Sequence, residues 1–309
     1  MTKVVFMGTP EFSVPILKGL IENYEVIGVV TQPDKEVGRK QEMTFSPIKK
    51  IAVENNIKVI QPNKIRIEYQ EIINLKPDII VTCAYGQIIP KEILDCPKYG
   101  CINVHASLLP KLRGGAPIHR AIINGDKKTG ITIMYMDEGM DTGDIISTEE
   151  VEITDDMCVG DLHDILSNMG RDLLLKTLPS IINGTNNRIK QNDEEASFGK
   201  IIKREDEHIN FDDTTTNVYN KIRGLSPFPS SYAVLDEKIL KIYKSIIGSS
   251  NKSGKIGEII NVYKDGIGVK TSDGEIVLTE IKPEGKKKMS VRDYLNGIKK
   301  EELIGKILY

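Results

Sequence analysis

Over its first two thirds the chain alternates short β-branched apolar runs with stretches whose apolar residues recur at helical spacing. "KVVFM" at 3–7, "EVIGVVT" at 25–31, a short run near 58–60, "DIIVTCA" at 78–84 and "GCINVH" at 100–105 read as strands. Between them, helices are predicted near 13–22, 46–55 and 67–75. This alternation implies a parallel sheet with helices on its faces. "GITIMYM" and "DIISTEEVEI" read as later strands, and a helix across about 160–183 supports its sheet with Leu162, Ile165, Leu166, Leu173 and Leu174.

The texture turns polar from about 184 to 207, in "NGTNNRIKQNDEEASFGKIIKRED", and this stretch is read as a linker. Beyond it come a helix at 214–223 and short strands near 231–235, 238–246, 255–263, 266–271 and 275–282, separated by turns such as "KDG" and "SDG". That spacing fits a small antiparallel barrel. The expected organisation is therefore an α/β domain over 1–188, a linker over 189–207 and a β-rich domain over 208–309.

Composition changes this picture little. A 309-residue chain that is 39% hydrophobic and 28% charged is long enough to bury two ordinary cores. The net charge of −2 offers no global attraction to a polyanion, so any such partner must be held by local patches. Residues 204–309 carry 18 basic against 16 acidic side chains, only a slight basic excess. Cys83, Cys96, Cys101 and Cys158 form no CxxC pair and no cysteine–histidine ligand spacing, which points to reduced thiols and to no structural metal. The first residues already read as strand and turn, and no apolar run approaches the ~18 residues of a membrane span. A cytoplasmic protein without a membrane partner is expected.

Ligands of open parallel sheets bind beyond the carboxyl ends of the strands, so residues just after strands hold the candidate chemistry. "MGTPEFS" at 7–13 is a strand-to-helix turn with Ser13 placed to cap the helix; it is not GxGxxG, which argues against a dinucleotide. Asn103 and His105 lie two apart and so share a side of their strand. They precede "SLLPKLRGGAP", where Leu108, Leu109 and Pro110 read either as the apolar wall of a flat heterocycle's pocket or as an anchor to the core. "MDEGMDTGDI" at 136–145 is rich in acids but lacks the calcium-loop pattern; one of Asp137, Asp141 and Asp144 is expected to pair with His105, on the reasoning that adjacent strands deliver their end loops to one edge. Amide, imidazole and carboxylate together suit acyl transfer between nitrogens. The amide donates to a carbonyl oxygen, the imidazole stabilises the oxyanion, and the carboxylate keeps the imidazole protonated while aiding amine deprotonation.

"MGTPEFSVPIL", "VVTQPD", "AYGQIIP", "GCINVHASLLPKLRGGAPIHRAI" and "GITIMYMDEGMDTGDI" together resemble the folate-dependent formyltransferases, in that family's order, and "LSPFPSSY" and "PEGKKKMS" extend the likeness to the C-terminal end. The resemblance implies a Rossmann-like parallel-sheet domain followed by an OB-like barrel. It implies formyl transfer from 10-formyltetrahydrofolate, as co-substrate, to the amino group of methionine on initiator tRNA, by direct attack through a tetrahedral intermediate. Asn103, His105 and Asp141 match the catalytic trio, and Ser107, Leu108, Leu109 and Pro110 match the folate-contacting segment. Arg39, in "QPDKEVGRKQEMTFSPIKK", matches the arginine of a tRNA-reaching loop, although Gln41 and Glu42 replace common lysines there and Phe45 a common proline. His119 stands where relatives commonly carry glutamine, and no role is assigned to it. Lys286, Lys287 and Lys288 are expected phosphate contacts of the barrel. No metal is implied, and a monomer is expected.

Three other readings compete. The same first domain serves formyl transfer to a small amine such as a nucleotide sugar or glycinamide ribonucleotide. A nonenzymatic RNA-binding protein would tolerate loss of the trio. A nicotinamide-dependent reductase would need the glycine fingerprint and acidic ribose residue that are missing here.

Overall fold

The computed structural model describes residues 1–37 and 42–309. They form two compact units, one of residues 1–117, 128–152 and 163–200, the other of residues 118–127, 153–162 and 201–309. The chain order through residue 183 is β1 (Lys3–Gly8), α1 (Val14–Asn23), β2 (Glu25–Val30), the short pair β3 (Lys35–Val37) and β4 (Glu42–Thr44), α2 (Pro47–Glu54), β5 (Val59–Ile60) and α3 (Gln70–Asn74). It continues with β6 (Ile79–Cys83), α4 (Lys91–Leu94), β7 (Cys101–His105), α5 (Pro117–Ile123), β8 (Lys128–Tyr135), β9 (Ile145–Glu152) and α6 (Val159–Asn183).

The first unit's sheet has the order β5-β2-β1-β6-β7-β8-β9. Its first five strands are parallel, as the alternation predicts, but β8 runs antiparallel to β7, and β9 antiparallel to β8. Strands β8 and β9 are joined by residues 136–144 alone, and a connection that short makes a hairpin, not a crossover. Both faces of the sheet are covered. Val5, Met7, Ile80, Tyr85 and Cys101 pack in one apolar cluster. On the face of Val104, α6 comes close through Gly170, where an added Cβ would stand 3.0 Å from Val104 Cγ1 and 3.5 Å from Ile16 Cδ1 of α1. Each such fully buried aliphatic side chain contributes roughly 1.5–3 kcal/mol relative to exposure. Helix α2 starts where Ser46 Oγ accepts from the Lys49 N–H and Pro47 supplies a preset φ, a start legible in "FSPIKK".

The second unit adds α7 (Arg204–Glu207), α8 (Thr215–Gly224), β10 (Ser231–Leu235), β11 (Lys238–Ile247), β12 (Ile259–Val262), β13 (Ile267–Lys270), β14 (Glu275–Pro283), β15 (Met289–Ser290) and α9 (Val291–Leu295). Its antiparallel sheet runs β10-β11-β14-β13-β12, with β15 beside β14. The chain's last residues bridge the two edges of that order. Val234 of β10 exchanges two backbone hydrogen bonds with Tyr309, while Leu308 donates to Gly257 and Ile259 of β12 donates to Lys306. Ile209, Phe211, Val218 and Ile222 pack inside against Leu240, Ile242, Val269 and Leu278. Residues 153–162 belong here because the buried Arg223 guanidinium donates to the carbonyls of Thr154 (2.9 Å) and Met157 (3.0 Å) and to Asn220 Oδ1 (2.9 Å). A guanidinium cannot be left buried without acceptors, so those carbonyls are held where it needs them.

The stretch read as a linker over 189–207 behaves differently from a tether. Residues up to Lys200 belong to the first unit, and Arg113 pairs with Phe198 in a parallel bridge. Polarity signalled solvent exposure correctly; it could not signal that the backbone of this segment is bonded to the loop after β7.

Candidate active site

Asn103 and His105 occupy alternate positions of β7 and so share a face of the sheet. That face is the one carrying Cys101, opposite the helices packed on Val104. Asn103 stands in register with Thr82 of β6. The Thr82 hydroxyl donates to Asn103 Oδ1 at 2.8 Å, its closest acceptor; the Ile102 carbonyl at 3.2 Å and Met136 Sδ at 3.1 Å are farther. One hydroxyl proton serves one acceptor at a time, so the amide oxygen is fixed and the amide nitrogen makes no hydrogen bond among the described residues. A free, oriented N–H donor results on a half-buried side chain.

His105 is 6% exposed. Its Nε2 lies 3.1 Å from the Leu112 carbonyl, which only accepts, so Nε2 carries a hydrogen. Nδ1 faces Asp141 Oδ2 at 3.7 Å, an ion-pair distance but too long for a hydrogen bond. The same Oδ2 accepts the Gly114 N–H at 2.8 Å. Of the three acids left open by sequence, Asp141 is the one that meets His105. Asp137 is used inside its own turn, accepting from the Gly139 N–H and the Thr142 hydroxyl, and Asp144 pairs with Arg188 Nε at 3.0 Å.

The route by which Asp141 reaches His105 differs from the expected one. Because β8 is antiparallel, Tyr135 lies opposite Ile102, and the Met136 N–H donates to the Cys101 carbonyl. The acidic loop therefore leaves from the amino end of β7, not from the carboxyl edge where His105 sits. It folds back over the sheet face, and Asp141 itself adopts φ +55°.

The segment "SLLP" is built into the interior more than its pocket-wall reading suggests. Ser107 is 1% exposed, with its hydroxyl on the Lys111 carbonyl at 2.6 Å and its own carbonyl accepting from Thr132 Oγ1 at 2.7 Å. Leu109 packs with Met134 and Ile145, and its N–H donates to Thr132 Oγ1 at 3.1 Å. Leu108 and Pro110 are half-buried and keep surface toward solvent. The segment is thus anchored to the core, the second of the two alternatives read from sequence, and offers two apolar residues at its surface.

Sequence reasoning missed a second set of residues that shape this site. Gln191 Nε2 donates to the carbonyls of Asp141 and Gly143, both at 2.8 Å. Its Oε1 accepts from Arg113 Nε at 3.0 Å and Nη2 at 2.8 Å, and Arg113 is only 4% exposed. Ser197 Oγ accepts the Leu112 N–H at 2.9 Å, and Gly199 donates its N–H to the Arg113 carbonyl and accepts the Ala116 N–H on its own carbonyl. A polar threonine inside "IIVTC" was the one sequence signal available for Thr82; nothing in the 191–199 stretch stands out locally.

Arg39 and Gln41 lie outside the described residues. Glu42 begins β4, and Phe45 is exposed beneath Lys49 Nζ, 4.0 Å from its ring centroid. Of the three lysines at 286–288, Lys288 is engaged with Glu280 at 3.2 Å and over the Tyr243 ring, Lys286 stands 5.9 Å over the Tyr294 ring, and Lys287 is exposed. His119 Nε2 lies 3.4 Å from the Phe228 carbonyl. Burial pushes the Cys83 thiol up to about 12 and raises Cys101 further, so neither is a nucleophile at neutral pH. Among the described residues no three His, Cys, Asp or Glu side chains gather to hold a metal, and no helix is long and apolar enough to cross a membrane.

The family profile described as "Formyl transferase" matches residues 2–178, and that described as "Formyl transferase, C-terminal domain" matches 201–299. The methionyl-tRNA formyltransferase of Staphylococcus epidermidis is 50% identical over 311 residues and covers 100% of both chains. That of Bacillus thuringiensis subsp. konkukian is 52% identical over 305 residues, 97% of each chain. Among solved structures, the sugar 3N-formyl transferase WlaRD, in the presence of dTDP and 5-N-formyl-THF, is similar at TM-score 0.66 and 25% identity, over 93% of this chain and 99% of that one. An N-formyltransferase from Helicobacter canadensis, in complex with folinic acid and dTDP-3-aminofucose, shares the fold at TM-score 0.68 and 23% identity, over 94% and 100%.

Proposed function

Because this chain belongs to the formyl transferase family, we propose that it transfers the formyl group of 10-formyltetrahydrofolate to the amino group of methionine esterified to initiator tRNA. The observation that carries the chemistry is the placement of Asn103 and His105 on one sheet face, with the Asp141 carboxylate brought to His105. The tRNA acceptor is favoured over a small amine by identity rather than coverage. Both kinds of relative span nearly the whole chain, but those named for methionyl-tRNA are 50–52% identical and the sugar enzyme 25%.

In this reading the free Asn103 amide donates to the formyl oxygen and orients the carbon for attack. His105 supplies positive charge at the developing oxyanion, with Nδ1 turned toward the site and the Asp141 carboxylate 3.7 Å from it. Asp141 has one carboxylate oxygen held by Gly114; its other oxygen draws the proton from the attacking amine. The amine nitrogen bonds to the formyl carbon, the bond from that carbon to N10 breaks in the tetrahedral intermediate, and the displaced N10 gains the proton. Leu108 and Pro110 offer the apolar surface for the pterin. Residues 1–188 are assigned the chemistry and 208–309, an OB-like barrel, the tRNA, with Arg39 reaching the acceptor end and Lys286, Lys287 and Lys288 on phosphates; Lys287, exposed, is the one best placed. The protein acts as a cytoplasmic monomer.

The deciding experiment offers purified protein 10-formyltetrahydrofolate with charged initiator tRNA, charged elongator tRNA, or a free amino sugar nucleotide. Formylation of the initiator species is expected. Turnover of the sugar nucleotide alone would replace the acceptor, and turnover of none would remove the enzyme reading.

A further inference from the structure

We infer that Gln191 is a positioning residue for Asp141, acting through a clamp with Arg113; the inference rests on the formyl-transfer reading of the same site. The argument begins with the direction of β8. A strand parallel to β7 would have delivered the acidic loop to the edge where His105 lies, but β8 is antiparallel and the loop starts beside Cys101 instead. Asp141 reaches His105 only because residues 136–144 are turned back over the sheet, with Asp141 in a left-handed conformation at φ +55°. An aspartate tolerates that region at a modest cost, so the conformation persists where its surroundings hold it.

Those surroundings are specific. The carboxylate is held once, by the Gly114 N–H, and the loop's backbone is held by Gln191, whose amide nitrogen bridges the carbonyls of Asp141 and Gly143 at 2.8 Å each. The orientation of the Gln191 amide is over-determined. At one end both partners only accept; at the other, the Arg113 guanidinium only donates. Flipping the amide would set carbonyl against carbonyl and donor against donor. Arg113 is in turn fixed by near-complete burial and by backbone bonds to Ser197 and Gly199, with Asp193 on its outer nitrogen at 2.8 Å. The carbonyl that accepts from His105 Nε2 belongs to Leu112, the neighbour of Arg113, and the N–H that donates to Asp141 belongs to Gly114, the other neighbour. One short stretch, 112–114, therefore sets both members of the ion pair, and Gln191 ties it to the loop that carries the acid.

Glutamate at this position is the informative change. Gln191→Glu keeps the acceptor for Arg113 but places a carboxylate against two carbonyl oxygens; Gln191→Met removes both ends at similar volume. For both variants kcat is expected to fall by about 10- to 100-fold, the scale of a misplaced catalytic group, with KM for the formyl donor within about twofold. Introduced into Asp141→Asn, the same changes are expected to add less than about twofold, because the group they position is already disabled. Amide hydrogen exchange supplies a readout independent of activity: exchange over 139–144 should rise by about tenfold or more while β7 stays protected. Unchanged exchange, full additivity with Asp141→Asn, kcat retained, or unfolding of both variants would each overturn the positioning role. If the wild-type protein formylates nothing yet exchange rises as stated, the clamp stands and the formyl-transfer reading is what has failed.

Discussion

Asp141→Asn isolates the charge of the ion pair from its geometry. The substituted side chain is isosteric, and its carbonyl oxygen still accepts the Gly114 N–H now bonded at 2.8 Å. What disappears is the negative charge 3.7 Å from His105 Nδ1. In the proposed transition state, where the imidazole carries positive charge, a unit pair at that distance is worth roughly 4 kcal/mol at an effective dielectric of about 20. Solvent screening reduces this only slightly, since the side chains are 6% and 18% exposed. At about 1.4 kcal/mol per tenfold in rate, the loss of transition-state stabilisation approaches a thousandfold. The loss of a proton acceptor for the incoming amine acts in the same direction. The assay is single-turnover formylation of charged initiator tRNA with saturating formyl donor, so that binding and product release do not mask the chemical step. A loss smaller than about tenfold, or one confined to KM, would show that charge at residue 141 does not drive the reaction, and the catalytic argument would have to be abandoned.

Thr82→Val removes the donor that fixes the Asn103 amide while keeping shape; one hydrogen bond of about 1 kcal/mol predicts a five- to tenfold fall in kcat with folding intact by melting temperature. Leu109→Ala opens a hole beside Met134 and Ile145, and a loss of about 2–4 kcal/mol by denaturant titration, together with a raised KM for the formyl donor, is expected. In the second unit, hydrogen bonds from the Thr215 N–H and hydroxyl hold the Asp273 carboxyl below the usual aspartate range. A depressed carboxyl stabilises the fold above its ordinary titration range and loses that contribution as pH falls through the folded value, so Thr215→Val, which keeps the N–H and loses only the hydroxyl, should return Asp273 part of the way toward ordinary titration by NMR and remove part of that acid-side contribution. For the thiols, burial raises all four, most at Cys83 and Cys101; iodoacetamide on the native protein should label Cys96 and Cys158 first, and early labelling of Cys83 would contradict the packing of β6.

Much of this molecule is legible in one dimension because its signals are periodic or local. Alternation of apolar runs and helical stretches marks the strands and helices of the first unit, and a two-residue interval puts Asn103 and His105 on one face whatever the rest of the chain does. Proline after serine marks the start of α2 for a similarly local reason. Which of three acids meets His105 has no such signature. Asp137 is used within its own turn, while Asp141 and Asp144 differ by which distant group each finds, and those groups lie in the 112–114 loop and at Arg188. The direction of β8, the return of the acidic loop over the sheet and the capture of 191–199 by Arg113 are also decided by pairings between residues tens of positions apart. A side chain bonded to a backbone carbonyl far along the chain imposes no repeat and needs no unusual composition around it. Sequence therefore disclosed the two strand side chains proposed to react, and tertiary packing alone decided how the acid is brought to them.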